Sequence, residues 1–200
     1  MTVTSFIVLE KRPCRETALL LRGVSPDLGR IGFVLHGGQS GRHPAADLFR
    51  ELEVEFDETA GNGDVFTAGK MEPLLDFSPL AESPRNYRMA GKIAAFLLNN
   101  MPPAVAQPYT YDTLRSVLAN LALGSESSWS LVQCAVVIKT AFLYENGMLP
   151  EGSDGAQGEF LENLVASGID NSPLPECSPE YFDRLNEWLN SLIVYHQLKK

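Results

Sequence analysis

The chain has 200 residues, 44% hydrophobic and 9% aromatic, and its 16 Lys and Arg against 25 Asp and Glu give a net charge of −9. That length and apolar share predict one large or two small domains with a real core. The charge excludes a protein that attracts polyanions through an overall positive field, so any nucleic-acid surface must be a local basic face. Both halves share the excess: residues 1–80 hold eight basic and twelve acidic side chains, residues 81–200 eight and thirteen. No apolar run approaches the roughly 18 residues of a membrane span, which predicts no transmembrane helix. The opening MTVTSFIVLEKRP lacks a basic leader and a small-residue cleavage site, so it does not read as a secretory signal. Three Cys, odd in number and far apart, predict a reducing, cytoplasmic setting and no disulfide framework.

In chain order, Val3 to Leu9 is short, apolar and β-branched, as a buried strand is. Glu10 to Glu16 reads as a basic turn broken by Pro13, and Thr17 to Leu21 as a second strand. Gly23 to Gly29 reads as a turn carrying Pro26. Ile31, Phe33 and Leu35 alternate with Gly32, Val34 and His36, and Leu52, Val54 and Phe56 alternate with Glu51, Glu53 and Glu55. This period of two predicts half-buried strands, with the three Glu on one solvated face. Between them, HGGQSGRHP reads as a surface loop. It lacks the Lys and the following helix of a phosphate-binding P-loop. Thr59 to Asp64 contains Asn-Gly, a tight-hairpin signal, and Val65 to Met71 is the fifth strand. Five short antiparallel strands suit a small closed barrel, of which the five-stranded oligonucleotide-binding (OB) fold is one.

From Glu72 the pattern turns helical. Ser83-Pro84 predicts a capped helix over Pro84 to Asn100, with Tyr87, Ala90, Ala94, Leu97, Leu98 and Met101 on one face. MPPAVAQP is a break. Leu114, Val117, Leu118 and Leu121 mark a second helix ended by Gly124. Ser127 or Ser128 caps a third, with Leu131, Val132, Ala135, Val136 and Phe142 as its stripe. A short helix runs to Gly168, and Ser178-Pro179 opens the last, with Phe182, Leu185, Leu189, Leu192 and Ile193 inward. The predicted class is α+β: a barrel domain over residues 1–76 and an all-helical domain over 77–200.

The order of these motifs resembles the RecO family of bacterial recombination mediators. The likeness runs through FIVLEKRPCRETALLL, then Asp27-Leu28-Gly29-Arg30-Ile31, then the loop HGGQSGRHP, then Leu48 to Phe56. Downstream, Phe142 to Pro150 (FLYENGMLP) and the closing VYHQLKK extend it over nearly the whole chain. The resemblance implies an N-terminal OB barrel and a helical domain without catalytic centre or cofactor. It also implies binding and annealing of single-stranded DNA and help in exchanging single-strand-binding protein for recombinase. The partners implied are single-stranded DNA, the acidic C-terminal tail of single-strand-binding protein, and the protein RecR. The chain departs from the family twice. Many relatives carry a four-cysteine zinc module, whereas Glu151 to Pro179 holds only Cys177, so no zinc site is expected. The usually basic loop is thinned here to Arg42, with His36 and His43 beside it.

An OB barrel holds single strands by cationic side chains and aromatic platforms. The candidate DNA contacts are Lys11, Arg12, Arg15, Arg22, Arg30, Arg42 and Arg50, with Arg12, Arg15 and Arg42 foremost. The competing reading is ordinary surface charge paired with Glu10, Glu16 and Glu51. An acidic tail ending in an apolar carboxylate group needs a hydrophobic groove rimmed by cations. Arg115 and Lys139 are the candidates, on successive helices lined by Leu114, Leu118 and Val136. No His, Cys and carboxylate cluster has metal-ligand spacing, and Cys134 is expected in the core. Two rivals to the mediator remain open: a protein-binding adaptor of the same fold without DNA affinity, and an enzyme, which would need a cleft of convergent titratable groups.

Overall fold

The computed structural model describes residues 1–14, 17–38, 46–61, 63–150 and 155–199. Five strands come first: β1 (Thr2–Cys14), β2 (Ala18–Ser25), β3 (Gly29–Leu35), β4 (Arg50–Phe56) and β5 (Val65–Asp76). They close a barrel in the order β1-β2-β3-β5-β4, with β4 pairing back to β1. This is an OB-like barrel. One expectation is corrected: β3 and β5 run parallel, through Gly32 opposite Val65 to Val34 opposite Thr67. A strand that returns to close a barrel beside a non-neighbour must take whichever direction its connection leaves it. Alternation cannot read that direction.

The interior follows the period of two. Phe6, Leu21, Ile31, Phe33, Leu52, Val54 and Phe56 are fully buried or nearly so. Phe33 meets Phe6 and Phe56 edge-on at 5.0 and 5.2 Å between ring centroids, and such contacts add about 0.5–1.5 kcal/mol each beyond the buried area.

The expected basic turn is strand instead. Glu10 to Cys14 continues β1, with Pro13 opposite Leu19. Beyond Ile7 the pairing with β4 ends, so Pro13 lies where β1 is an edge and proline is tolerated. β5 likewise runs past Pro73 to Asp76, opposite Arg50, with register shifts along the way. Glu51, Glu53 and Glu55 keep the expected alternation, opposite Ile7, Ser5 and Val3 of β1, but Glu51 is buried beside the buried Ile7 while Glu53 is exposed, so that face is not solvated along its whole length. Glu58–Ala60 forms a 3-10 turn before β5, and Asn62 lies outside the described residues.

Five helices follow: α1 (Pro84–Asn100), α2 (Pro108–Leu123), α3 (Leu131–Glu145), α4 (Ala156–Asp170) and α5 (Pro179–Tyr195). α1 and α5 start at the expected prolines, and the Ser178 hydroxyl accepts from the Tyr181 N–H. α1 buries Ala90, Ala94 and Leu97 of its expected stripe, with Met101 buried just past its end, and widens the stripe with Ile93 and Phe96, while Tyr87 is exposed. α3 is capped by Ser130, not Ser127 or Ser128. Ser130 and Gln133 form a reciprocal capping box, while the Ser127 hydroxyl accepts from the Trp129 N–H and donates to Asn120. Nearly every residue from Cys134 to Leu143 is buried, so α3 is the central helix rather than a one-sided one. Cys134 is in this core, and burial pushes its thiol up to about 12. α4 continues through Gly168 to Asp170. A Cβ on Gly168 would lie 2.8 Å from Val137 Cγ1 and 3.0 Å from Thr113 Cγ2, so this glycine serves close packing rather than a helix stop.

The chain divides into two compact units. One is Met1–Pro79 with Asn100–Pro108; the other is Leu80–Asn99 with Tyr109–Lys200. The segment expected to be a simple break therefore belongs with the barrel. It is stitched there by Arg30 N–H to the Pro102 carbonyl (3.2 Å), Ala104 N–H to Leu28 (2.9 Å) and Gln107 N–H to Pro26 (2.8 Å).

Candidate functional site

On β2 and β3 the inward residues are Leu19, Leu21, Ile31, Phe33 and Leu35. Alternation then sends Arg22 and Arg30 outward on neighbouring strands, Arg22 opposite Gly32 and Arg30 opposite Val24. The outer face of strands 2 and 3 is the surface on which OB barrels bind oligonucleotides. Lys11 and Arg12 lie further along β1, on the ribbon it makes with β2, and Arg50 starts β4. Arg15 and Arg42 lie outside the described residues.

Each described cation of residues 1–80 has an acidic neighbour. Lys11 pairs with Asp47 at 3.2 Å, and Arg12 and Arg22 share Glu10 at 3.9 and 3.4 Å. Arg30 pairs with Asp64 at 3.4 Å, Arg50 with Asp76 at 3.2 Å, and Lys70 with Glu72. Glu10 is thus a partner as expected of surface charge, and Asp76 is a further partner, for Arg50. Such exposed pairs are worth about 0–1 kcal/mol. A phosphate can take such a cation at small cost, and among these described pairs the one surplus positive charge comes from Arg12 and Arg22 sharing Glu10.

The carboxyls register this pairing. Burial pushes Asp47 up, but the Leu48 N–H, Lys11 and Arg50 outweigh it and hold it below the usual aspartate value. Asp76 behaves alike: burial raises it, and Ser78 and Arg50 bring it below the ordinary range.

In the helical unit a cleft of ≈ 490 Å³ lies between α1, α3 and α5, with Ile93, Phe96, Ile138 and Ile193 as its apolar walls and Lys92 and Lys139 as its cations. The Lys139 ammonium donates to the amide oxygens of Asn186 and Asn190, 2.8 Å each. The two Asn sit one turn apart on α5, beside the buried Leu185 and Leu189, and so fork around one ammonium. Arg115 does not line this cleft. It sits 4.0 Å from Asp112, one turn back on α2. Leu114, Leu118 and Val136, expected to line a groove, are fully buried core. Asn186 and Asn190 escaped the sequence reading, because no linear pattern says which three helices will share a cleft.

No group of three or more His, Cys, Asp or Glu among the described residues is placed to hold a metal. No helix among them is long and apolar enough to cross a membrane. No family model matches the chain, and no curated protein matches it by sequence.

Proposed function

We propose that the chain is a RecO-like recombination mediator in DNA repair, binding and annealing single-stranded DNA and helping to exchange single-strand-binding protein for recombinase. The observation that carries the reading is the OB-like barrel with Arg22 and Arg30 outward on β2 and β3. The strand-to-strand resemblance to the RecO family supports it. The work is binding and exchange in the cytoplasm rather than catalysis.

Single-strand contact falls to Lys11, Arg12, Arg15, Arg22, Arg30, Arg42 and Arg50, and those with a described carboxylate partner exchange it for an acceptor oxygen of the strand. The helical unit takes the acidic C-terminal tail of single-strand-binding protein. Its apolar end enters the cleft between α1, α3 and α5, where Lys92 and Lys139 face its carboxylates. Arg115 serves at most as a remote rim charge. RecR is the further partner of the exchange step.

A second reading is a protein-binding adaptor of the same fold with lost DNA affinity. The ion pairing of every described cation of residues 1–80 favours it. Two assays separate the readings. A mediator accelerates annealing of two complementary labelled oligonucleotides, and Arg12→Ala with Arg15→Ala reduces that acceleration. An adaptor leaves annealing at its spontaneous rate yet binds the tail peptide.

A further inference from the structure

A second cleft, of ≈ 460 Å³, opens at one end of the barrel between Leu28, Arg30, Ile31, Asp64, Phe66 and Pro103. Its volume falls within the range of about 300–1,000 Å³ of small-molecule sites, which favour barrel mouths and pair apolar walls with a few polar groups. One wall is preformed, because the 102–104 segment is hydrogen-bonded to Leu28 and Arg30. Phe66 leans on Phe56, ring centroids 5.1 Å apart, and remains partly exposed. The polar groups are the Arg30 guanidinium and the Asp64 carboxylate, 3.4 Å apart, with a quarter to a third of each side chain open to solvent.

This combination selects its ligand. The carboxylate repels an anion, the guanidinium repels a cation, and the apolar walls reject a fully hydrated group. A flat neutral ring with donors beside an acceptor fits, and an unstacked nucleobase is such a ring. Among the bases only guanine presents two adjacent donors, N1–H and N2–H, to a carboxylate, with its O6 acceptor next to them for a guanidinium. Cytosine, adenine and thymine each set a lone pair against the carboxylate.

We propose that this cleft holds one unstacked guanine of a bound single strand, with Asp64 accepting from N1–H and N2–H, Arg30 donating to O6, and Phe66 against the ring. The inference rests on the barrel's reading as a single-strand binder and adds base selectivity to it.

The test is fluorescence anisotropy on the full chain with a labelled oligothymidine and with versions bearing one central guanine, adenine or inosine. Inosine keeps O6 and N1–H and lacks the N2 amino group. The guanine strand is expected to bind about 10-fold tighter than oligothymidine, the scale of one good bidentate base contact. Adenine gives no gain, inosine loses most of the preference, and Asp64→Asn abolishes the guanine-to-thymine ratio. Equal binding of guanine and thymine strands, or inosine as tight as guanine, overturns the base pocket while leaving the mediator reading intact. Failure of every strand to bind overturns both.

Discussion

The Cβ that Gly29 lacks would lie 2.4 Å from the Pro102 carbonyl oxygen and 2.5 Å from that of Val105. Gly29 also has φ +59°, a left-handed conformation costly for any residue with a side chain. The absence of one methyl group therefore lets the 102–105 segment lie across the barrel. Gly29→Ala is expected to lose more than the roughly 1–2 kcal/mol of the backbone conformation alone, because carbonyl oxygens must move as well. Gly63 supplies the control: its φ is +67°, and nothing lies within 4 Å of where its Cβ would be. Denaturant unfolding of the two variants checks this, and equal losses would contradict the packing argument.

Gly168 makes a second stability prediction with opposing terms. Alanine gains up to about 1 kcal/mol of helix propensity over glycine. Here its Cβ would press on Val137 and Thr113, both buried, and overpacking costs about 1–3 kcal/mol. The core term exceeds propensity, so Gly168→Ala should lower the unfolding midpoint. A raised midpoint would mean that α4 does not pack as closely as described.

The cleft of the helical unit predicts different outcomes for three cations. Lys92→Ala should weaken binding of an acidic peptide with an apolar C-terminus about fivefold, the scale of ~1 kcal/mol for an exposed charge, and leave folding unchanged. Lys139→Ala should weaken the peptide and also cost about 1 kcal/mol of stability, since Asn186 and Asn190 lose its ammonium donor. Arg115→Ala should do neither. Calorimetric titration of the peptide, with thermal unfolding alongside, checks all three. Arg115→Ala matching Lys92→Ala would misplace the groove.

Acid should unfold the barrel through Asp47 and Asp76. Both carboxyls titrate below the ordinary aspartate value of 3.8 in the folded chain. A carboxyl depressed by folding contributes stability that is full above its unfolded pKa and lost as pH falls through the folded one. The melting temperature should thus hold near neutrality and fall below about pH 4. Asp47→Asn with Asp76→Asn, which retains amide oxygens for the Leu48 and Ser78 N–H groups, should reduce that fall. An unchanged acid slope in the double variant would remove these two aspartates from the account. Asp112, raised by burial against the pull of Arg115, acts with the opposite sign.

Much of the architecture was legible in the residues. Alternation at Ile31–Leu35 and Leu52–Phe56 placed the barrel's inward side chains, and Ser83-Pro84 and Ser178-Pro179 placed two helix starts. What escaped depends on pairing across the fold. Glu51 keeps its alternating face yet is buried there beside Ile7, and β5 is parallel to β3 because of how it returns to close the barrel. Cations were legible as residues, but their partners Asp47, Asp64 and Asp76 lie far away in sequence. Phe66 and the 102–104 wall become one cleft only when Gly29 brings them together. Lys139 was legible as a cation, while its fork of Asn186 and Asn190 was hidden in the spacing of α5.

The central claim is that the barrel binds single-stranded nucleic acid despite the net charge of −9. The measurement that tests it most directly is binding of a labelled single-stranded oligonucleotide across a salt series. Affinity should fall as salt rises, with a log–log slope of about −0.7 for each phosphate contacted. Three to five contacts would give a slope of roughly −2 to −3.5. No binding at the lowest salt, with the acidic peptide still bound, would contradict the mediator and leave the adaptor.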